Sequence, residues 1–457
     1  MKRSALALLT SLCVLAASAQ LGPNVTDWLF NTTNIMGRHY VAGNSTPIQD
    51  AIMANVQQVD YSANWAYVHT HGIPAYITGP FLDGNPSLAT DRNAIFKIPR
   101  NPVQNTGTPT ATNAGNIGAF INGVALFDYR DGVAWNATTN ALCGGPGNPT
   151  CPGGPGATQA WNRDAIPAER AGFDCAKAHP AMGNYHHHQN PSAFNLDLVV
   201  ISNICDLYAA DGLYAIDAAQ HSPLLGFAYD GFPIYGAYGY ANTDGTGGVV
   251  RMQSSYQLRS ITVRNTSPTG QAVTNGAPIN TTYPLGYFRE DYEFISHPEP
   301  FYMDMHNGRV CVTPEYPNGT YAYFCTVDEN WNSAYPYVVG PTFYGVRSAS
   351  IVTSITESVT TVNPLTLGVD ESNVSNLGVN VFPNPASDLI AIQINGIVRE
   401  DVDVSLFDMS GKEVRHAIIA QGSTIWHLDT RTLYDGTYVV RIGSGPHAVS
   451  KVVQVVR

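Results

Sequence analysis

The sequence predicts a mainly β protein, with a large β-rich N-terminal domain carrying long loops and a small C-terminal Ig-like β-sandwich. Three observations predict it. Glycine (42), proline (30) and tyrosine (25) are abundant, and heptad patterning is absent. Short alternating or apolar runs recur between turn signals along the chain. From about Asn380 to Arg457 such runs follow one another at even spacing, the pattern of a small sandwich.

A chain of 457 residues exceeds one ordinary core and divides into domains. Charged residues make up only 13%, and the formal net charge is -12. A surface of that sign repels phosphate backbones, so no nucleic acid is expected as a partner.

The first residues read as a secretory signal peptide over 1–19. Lys2 and Arg3 supply a basic start, Ala5 to Ala16 an apolar core, and Ala17-Ser18-Ala19 a small-residue cleavage site. Gln20 is the expected first mature residue. No later stretch is apolar for long enough to cross a bilayer, so the mature chain is expected to have no transmembrane segment and to be exported.

Removal of the signal takes Cys13 and leaves Cys143, Cys151, Cys175, Cys205, Cys311 and Cys325. An even number in an exported chain favours disulfides. Pairing of nearest neighbours gives Cys143–Cys151, Cys175–Cys205 and Cys311–Cys325, one of about 15 pairings that six cysteines allow. A thiolate metal site needs C-x-x-C spacing, which is absent.

The main region, 20–347, contains the strand-like runs NWAYVHTHGIPAY, AIFKIPRNP, IGAFINGVALFDY, FNLDLVVISNIC, GFAYDGFPIYGAY and TYAYFCTV. The glycine- and proline-rich stretch from Cys143 to Gly156 reads as a loop, and the stretch Ala157 to Arg170 is expected to carry one short helix. The Ser/Thr-rich stretch 348–379, without cysteine or aromatic residues, reads as an extended linker.

The chemistry-bearing feature is GNYHHHQNP, from Gly183 to Pro191. On a strand, His186 and His188 share one face, and Tyr185 and His187 the other. An H-x-H pair offers two imidazoles to one ion, and zinc and copper both accept neutral imidazole nitrogen. His179 is the expected third ligand, because Pro180 and Gly183 can turn the chain back toward that strand. His69 and His71 form a second H-x-H pair that could complete the site or form another. The bland reading is a polar seam in which the histidines bond carbonyls and tyrosines. Hydrolase signatures such as H-E-x-x-H and G-x-S-x-G are absent.

In DGFPIYG, Asp230 can serve as a ligand, as the partner of a histidine or as a general base, or simply cap its own turn. Asp304 and His306 are weaker candidates in a loop.

HPAMGNYHHHQNP followed by SPLLGFAYDGFPIYGAYGY resembles the YHYH domain family, named for a Tyr-His-Tyr-His motif. GIPAYITGPF, FINGVALFDYRDG and EYPNGTYAYF extend the resemblance over most of Ala63 to Gly345. Here the motif is Tyr185-His186-His187-His188, so His187 stands in place of the second tyrosine while the H-x-H pair is intact. The resemblance implies a grouping and a candidate site rather than a reaction.

VFPNPASD, FDMSGKEV and LYDGTYVVRI, within 380–457, resemble the C-terminal sorting domain of the type IX secretion system of Bacteroidetes. That resemblance implies the type IX secretion machinery as partner and the outer cell surface or the medium as destination. Function then lies in the main region.

Two functions compete. One is a transition-metal site (copper or zinc) on His179, His186 and His188, in a metalloenzyme of unknown reaction and substrate. The other is a non-catalytic module for adhesion or carbohydrate binding, with stacking surfaces supplied by Trp65, Trp135, Trp161 and Trp331.

Overall fold

The computed structural model describes residues 21–82, 88–145, 147–154, 159–362, 378–395, 401–408, 412–443 and 448–456. The expected signal peptide lies outside the described residues.

The chain is mainly β, as its turn-rich composition predicts. An eight-stranded mixed sheet carries the site. Its strands run in the order Ala178–Ala181, Asn184–His187, Ala125–Phe127, Asn116–Phe120, Leu224–Ala228, Pro233–Tyr235, Thr320–Phe324, Gly308–Cys311. Two neighbouring pairs are parallel: Asn184–His187 with Ala125–Phe127, and Pro233–Tyr235 with Thr320–Phe324.

The middle of this sheet is covered on both faces. All five residues of Leu224–Ala228 are buried, which is why the strand reads as an unbroken apolar run rather than an alternation. Its glycine has a steric cause: a Cβ at Gly226 would lie 2.3 Å from the Ala119 carbonyl oxygen on the next strand.

A second sheet of five strands runs Ser350–Val352, Ala94–Pro99, Trp65–Thr70, Val56–Tyr61, Thr360–Thr361. Val59, Val68, Phe96 and Ile98 from it join Phe120, Leu126, Phe227 and Tyr323 from the first in one hydrophobic core. Ser350–Val352 and Thr360–Thr361 fall inside the stretch expected as linker. Sequence rich in the β-branched residues Thr and Val suits a sheet edge as well as an extended tether.

The C-terminal part contains two sheets. One orders Gly378–Phe382, Leu389–Asn395, Ile425–Asp429, and the other Glu413–Ile419, Val402–Asp408, Gly436–Ile442, Val449–Val455. Ile390, Ile392, Val404, Leu406, Val440 and Val453 come from both sheets and form a second core. That is the inward-facing alternation of a sandwich.

Two sequence expectations are corrected. FNLDLVVISNIC is not a strand. It holds two 3-10 turns, Phe194–Leu196 and Asn203–Asp206, and Leu198 to Ile201 between them are exposed. Among the described residues its apolar run joins no strand ladder, and it is tied down by Cys205 and by a hydrogen bond from Leu198 N to the Asn330 carbonyl. The expected bridges Cys143–Cys151 and Cys175–Cys205 are formed, but Cys311 and Cys325 are free and buried. In their hairpin Cys311 pairs with Thr320 rather than Cys325. Five residues of extended chain therefore separate the two, about 16 Å, beyond disulfide reach.

Candidate metal centre

The site is built on the edge hairpin Ala178–Ala181/Asn184–His187. Its two-residue turn is Met182 (φ 46) and Gly183 (φ 82), the doubly positive pair of a type I′ loop. Pro180 lies in the edge strand, where its missing N–H breaks no ladder. This register places His179 directly opposite His186. His188, two residues on, returns to the same face. The ligand atoms of His179, His186 and His188 all lie within 4.8 Å of one another, and the three side chains are buried.

The hydrogen bonds orient two of the imidazoles. His186 Nδ1 lies 2.8 Å from the Asn184 carbonyl oxygen, and His188 Nδ1 2.6 Å from that of Asp128. A carbonyl only accepts, so each Nδ1 donates and each Nε2 presents a lone pair. Those two Nε2 atoms face each other at 3.0 Å. Burial holds the His188 imidazole down at about 3 and His186 well below the usual histidine range, so both are neutral, the form that ligates metals.

Aromatic walls fix the rings. Phe127 stacks on His186 with centroids 3.8 Å apart, and Phe173 meets His179 edge-on at 4.8 Å. Between Asp164 and Phe173 runs the short helix Ala165–Glu169, inside the stretch expected as helical. Buried Asp164 caps it by accepting from Ile166 N at 2.9 Å. The helix ends with Glu169, whose Oε2 lies 3.4 Å from His179 Nε2 and 3.6 Å from His188 Nε2. Sequence reasoning missed Glu169, Phe127 and Phe173. A lone acid ten positions before His179 carries no spacing signal; chain packing brings it there.

The remaining candidates lie elsewhere. Tyr185 and His187 point to the opposite face of their strand. There His187 Nε2 is 2.7 Å from the Tyr76 hydroxyl, and the Tyr185 hydroxyl donates to Asp174 Oδ2 at 2.8 Å. His69 pairs with Asp60 at 2.8 Å and His71 with Asp91 at 2.7 Å. Asp230 caps its turn at Phe232 N, and also accepts from the Tyr323 hydroxyl at 2.6 Å and Gly345 N at 2.8 Å. Asp304 accepts from His306 N at 2.8 Å, the loop geometry of a capped turn. Trp135 and Trp161 are buried in a satellite core, and Lys97 lies over the Trp65 ring. Trp331 donates to the Tyr238 hydroxyl.

Residues 95–336, more than half of the chain, match the family described as YHYH protein. The chain belongs to the YHYH family. In this YHYH protein the departure at His187 falls on the buried Tyr76–Tyr185 face, so the pair His186 and His188 on the other face is untouched by it. Residues 380–456 match a secretion system C-terminal sorting domain, which directs the YHYH protein to the cell surface or outside. No helix among the described residues is long and apolar enough to cross a membrane. No curated protein matches the chain. Among solved structures it is similar to CopC from Methylosinus trichosporium OB3b, at 20% identity over 17% of this chain and 91% of that one, with a TM-score of 0.14.

Proposed function

We propose that this exported YHYH protein binds one transition-metal ion through His179, His186 and His188. The observation that carries the reading is the pair of Nε2 atoms 3.0 Å apart, each with its Nδ1 committed to a carbonyl. Two lone pairs facing each other repel, and a cation between them turns the repulsion into two bonds. Neutral imidazole nitrogen suits zinc and copper(II) better than magnesium or calcium, which prefer oxygen. The residues fit such an ion: when bound, it would be held by the three Nε2-type donors, with Phe127 and Phe173 excluding water around them.

The test is metal content by mass spectrometry on the mature chain, made without a polyhistidine tag and dialysed against a weak chelator. A chain carrying His186→Ala and His188→Ala serves as comparison. Near-stoichiometric zinc or copper in the first, lost in the second while the circular dichroism is kept, supports the reading. Absence of metal in both, with none taken up when zinc or copper(II) is supplied, overturns it.

A further inference from the structure

We infer that Glu169 is the fourth ligand of this centre and closes it. The inference rests on the three-histidine reading and adds an oxygen donor to it.

With bonds of about 2.0–2.1 Å, neighbouring ligand atoms of a tetrahedral ion lie about 3.3–3.4 Å apart. Glu169 Oε2 stands at 3.4 Å from His179 Nε2 and 3.6 Å from His188 Nε2, close to that edge length. His188 Nδ1 donates to the Asp128 carbonyl oxygen at 2.6 Å, which turns the Nε2 edge of the ring toward the carboxylate. Glu169 Oε2 and His186 Nε2 are both acceptors beside His188 Nε2, at 3.6 Å and 3.0 Å. A carboxylate also supplies a negative charge, which imidazole ligands do not. The chain holds this oxygen deliberately in place: Asp164 caps the helix start, and Gly172 N donates to the Glu169 carbonyl at 2.7 Å before Phe173 packs on His179.

The functional consequence is coordination number. Three protein ligands leave a position open for water or substrate, whereas four fill a tetrahedron. A three-histidine, one-carboxylate centre stabilises the fold or carries an ion; it does not hydrolyse. The rival role for Glu169 is a base beside a metal-bound water, and that role leaves metal affinity nearly unchanged.

The experiment is a competitive chelator titration of zinc and an absorption spectrum of the cobalt(II)-loaded mature chain, for wild type, Glu169→Gln and His186→Ala. Glu169 is about one-fifth exposed, so the isosteric amide is accommodated, and thermal melts of the metal-free chains check this. The expected result is a loss of affinity of about tenfold or more in Glu169→Gln, with altered cobalt d–d bands. Unchanged affinity and spectrum in Glu169→Gln, with binding abolished by His186→Ala, overturns the fourth ligand and leaves the three-histidine centre standing. A wild-type chain that binds neither ion overturns both.

Discussion

His186 and His188 aim their Nε2 atoms at each other across 3.0 Å, while their Nδ1 atoms are held by the carbonyls of Asn184 and Asp128. The arrangement predicts a metal-dependent stability. An ion that binds the folded chain at a thousandfold its dissociation constant stabilises it by about 4.1 kcal/mol. The melting temperature of the mature chain is expected to rise when zinc replaces a chelator. The rise should vanish in His186→Ala. An equal rise in that variant would place the ion elsewhere on the protein.

The two faces of the same strand predict opposite outcomes for adjacent histidines. His187 serves the buried Tyr76 hydroxyl at 2.7 Å, on the face away from the proposed centre. His187→Phe adds volume to a fully buried site and removes one partner of that hydroxyl, which also bonds Tyr185 and Asn122. The expected cost is about 1–3 kcal/mol in a urea melt, with metal content intact. Loss of metal at wild-type stability would mean that His187, not His186, faces the ion.

How far the site was legible follows from which forces place each residue. His186 and His188 share a face because a strand has period two, and that can be read from the sequence. His179 is also local, since the positive-φ turn at Gly183 folds it back onto His186. Glu169 is different: its place depends on a capped helix docking through loop packing, which leaves no periodic trace. The apolar run Leu198 to Ile201 misleads for a related reason. Hydrophobicity marks a strand only where a partner edge exists, and here none pairs with it among the described residues.

The cysteines predict a thiol titration. Cys311 and Cys325 are 2% and 0% exposed, and burial pushes both thiols up, so neither is reactive in the folded state. The mature chain is expected to show no reaction with an aromatic disulfide reagent when folded and two thiols in guanidinium. Zero thiols after denaturation would restore the Cys311–Cys325 bridge. Opening Cys175–Cys205 should matter more, because it closes a loop of sequence separation 30 that contains His179, His186 and His188. The chain-entropy estimate for such a loop is about 3–4 kcal/mol. A Cys175→Ser, Cys205→Ser chain is therefore expected to melt earlier and to bind metal more weakly.

The buried helix cap Asp164 predicts how stability depends on pH. Burial pushes its carboxyl up to about 8 from 3.8, and the negative charges of Asp131 and Asp128 add to the shift. Hydrogen bonds from Ile166 N and the Tyr337 hydroxyl, the latter at 2.6 Å, oppose it. The sign follows from proton counting. Between pH 4 and 8 the unfolded chain has released this proton and the folded chain retains it, so stability falls as pH rises through that window. Each unit of the window withdraws up to about 1.4 kcal/mol for a group that stays fully protonated in the fold. Below about pH 4 both states hold the proton and the effect is absent. Asp197 and Asp230, raised to about 6, and Asp174, raised to about 7, act in the same direction. Asp164→Asn isolates one contribution, because the amide oxygen still caps Ile166 N and nothing titrates. Urea melts at pH 5 and pH 8 should show the wild type losing more stability over the interval than Asp164→Asn. Equal losses in the two chains would mean that Asp164 is ionised throughout, its charge carried by the Tyr337 hydroxyl and the helix N-terminus.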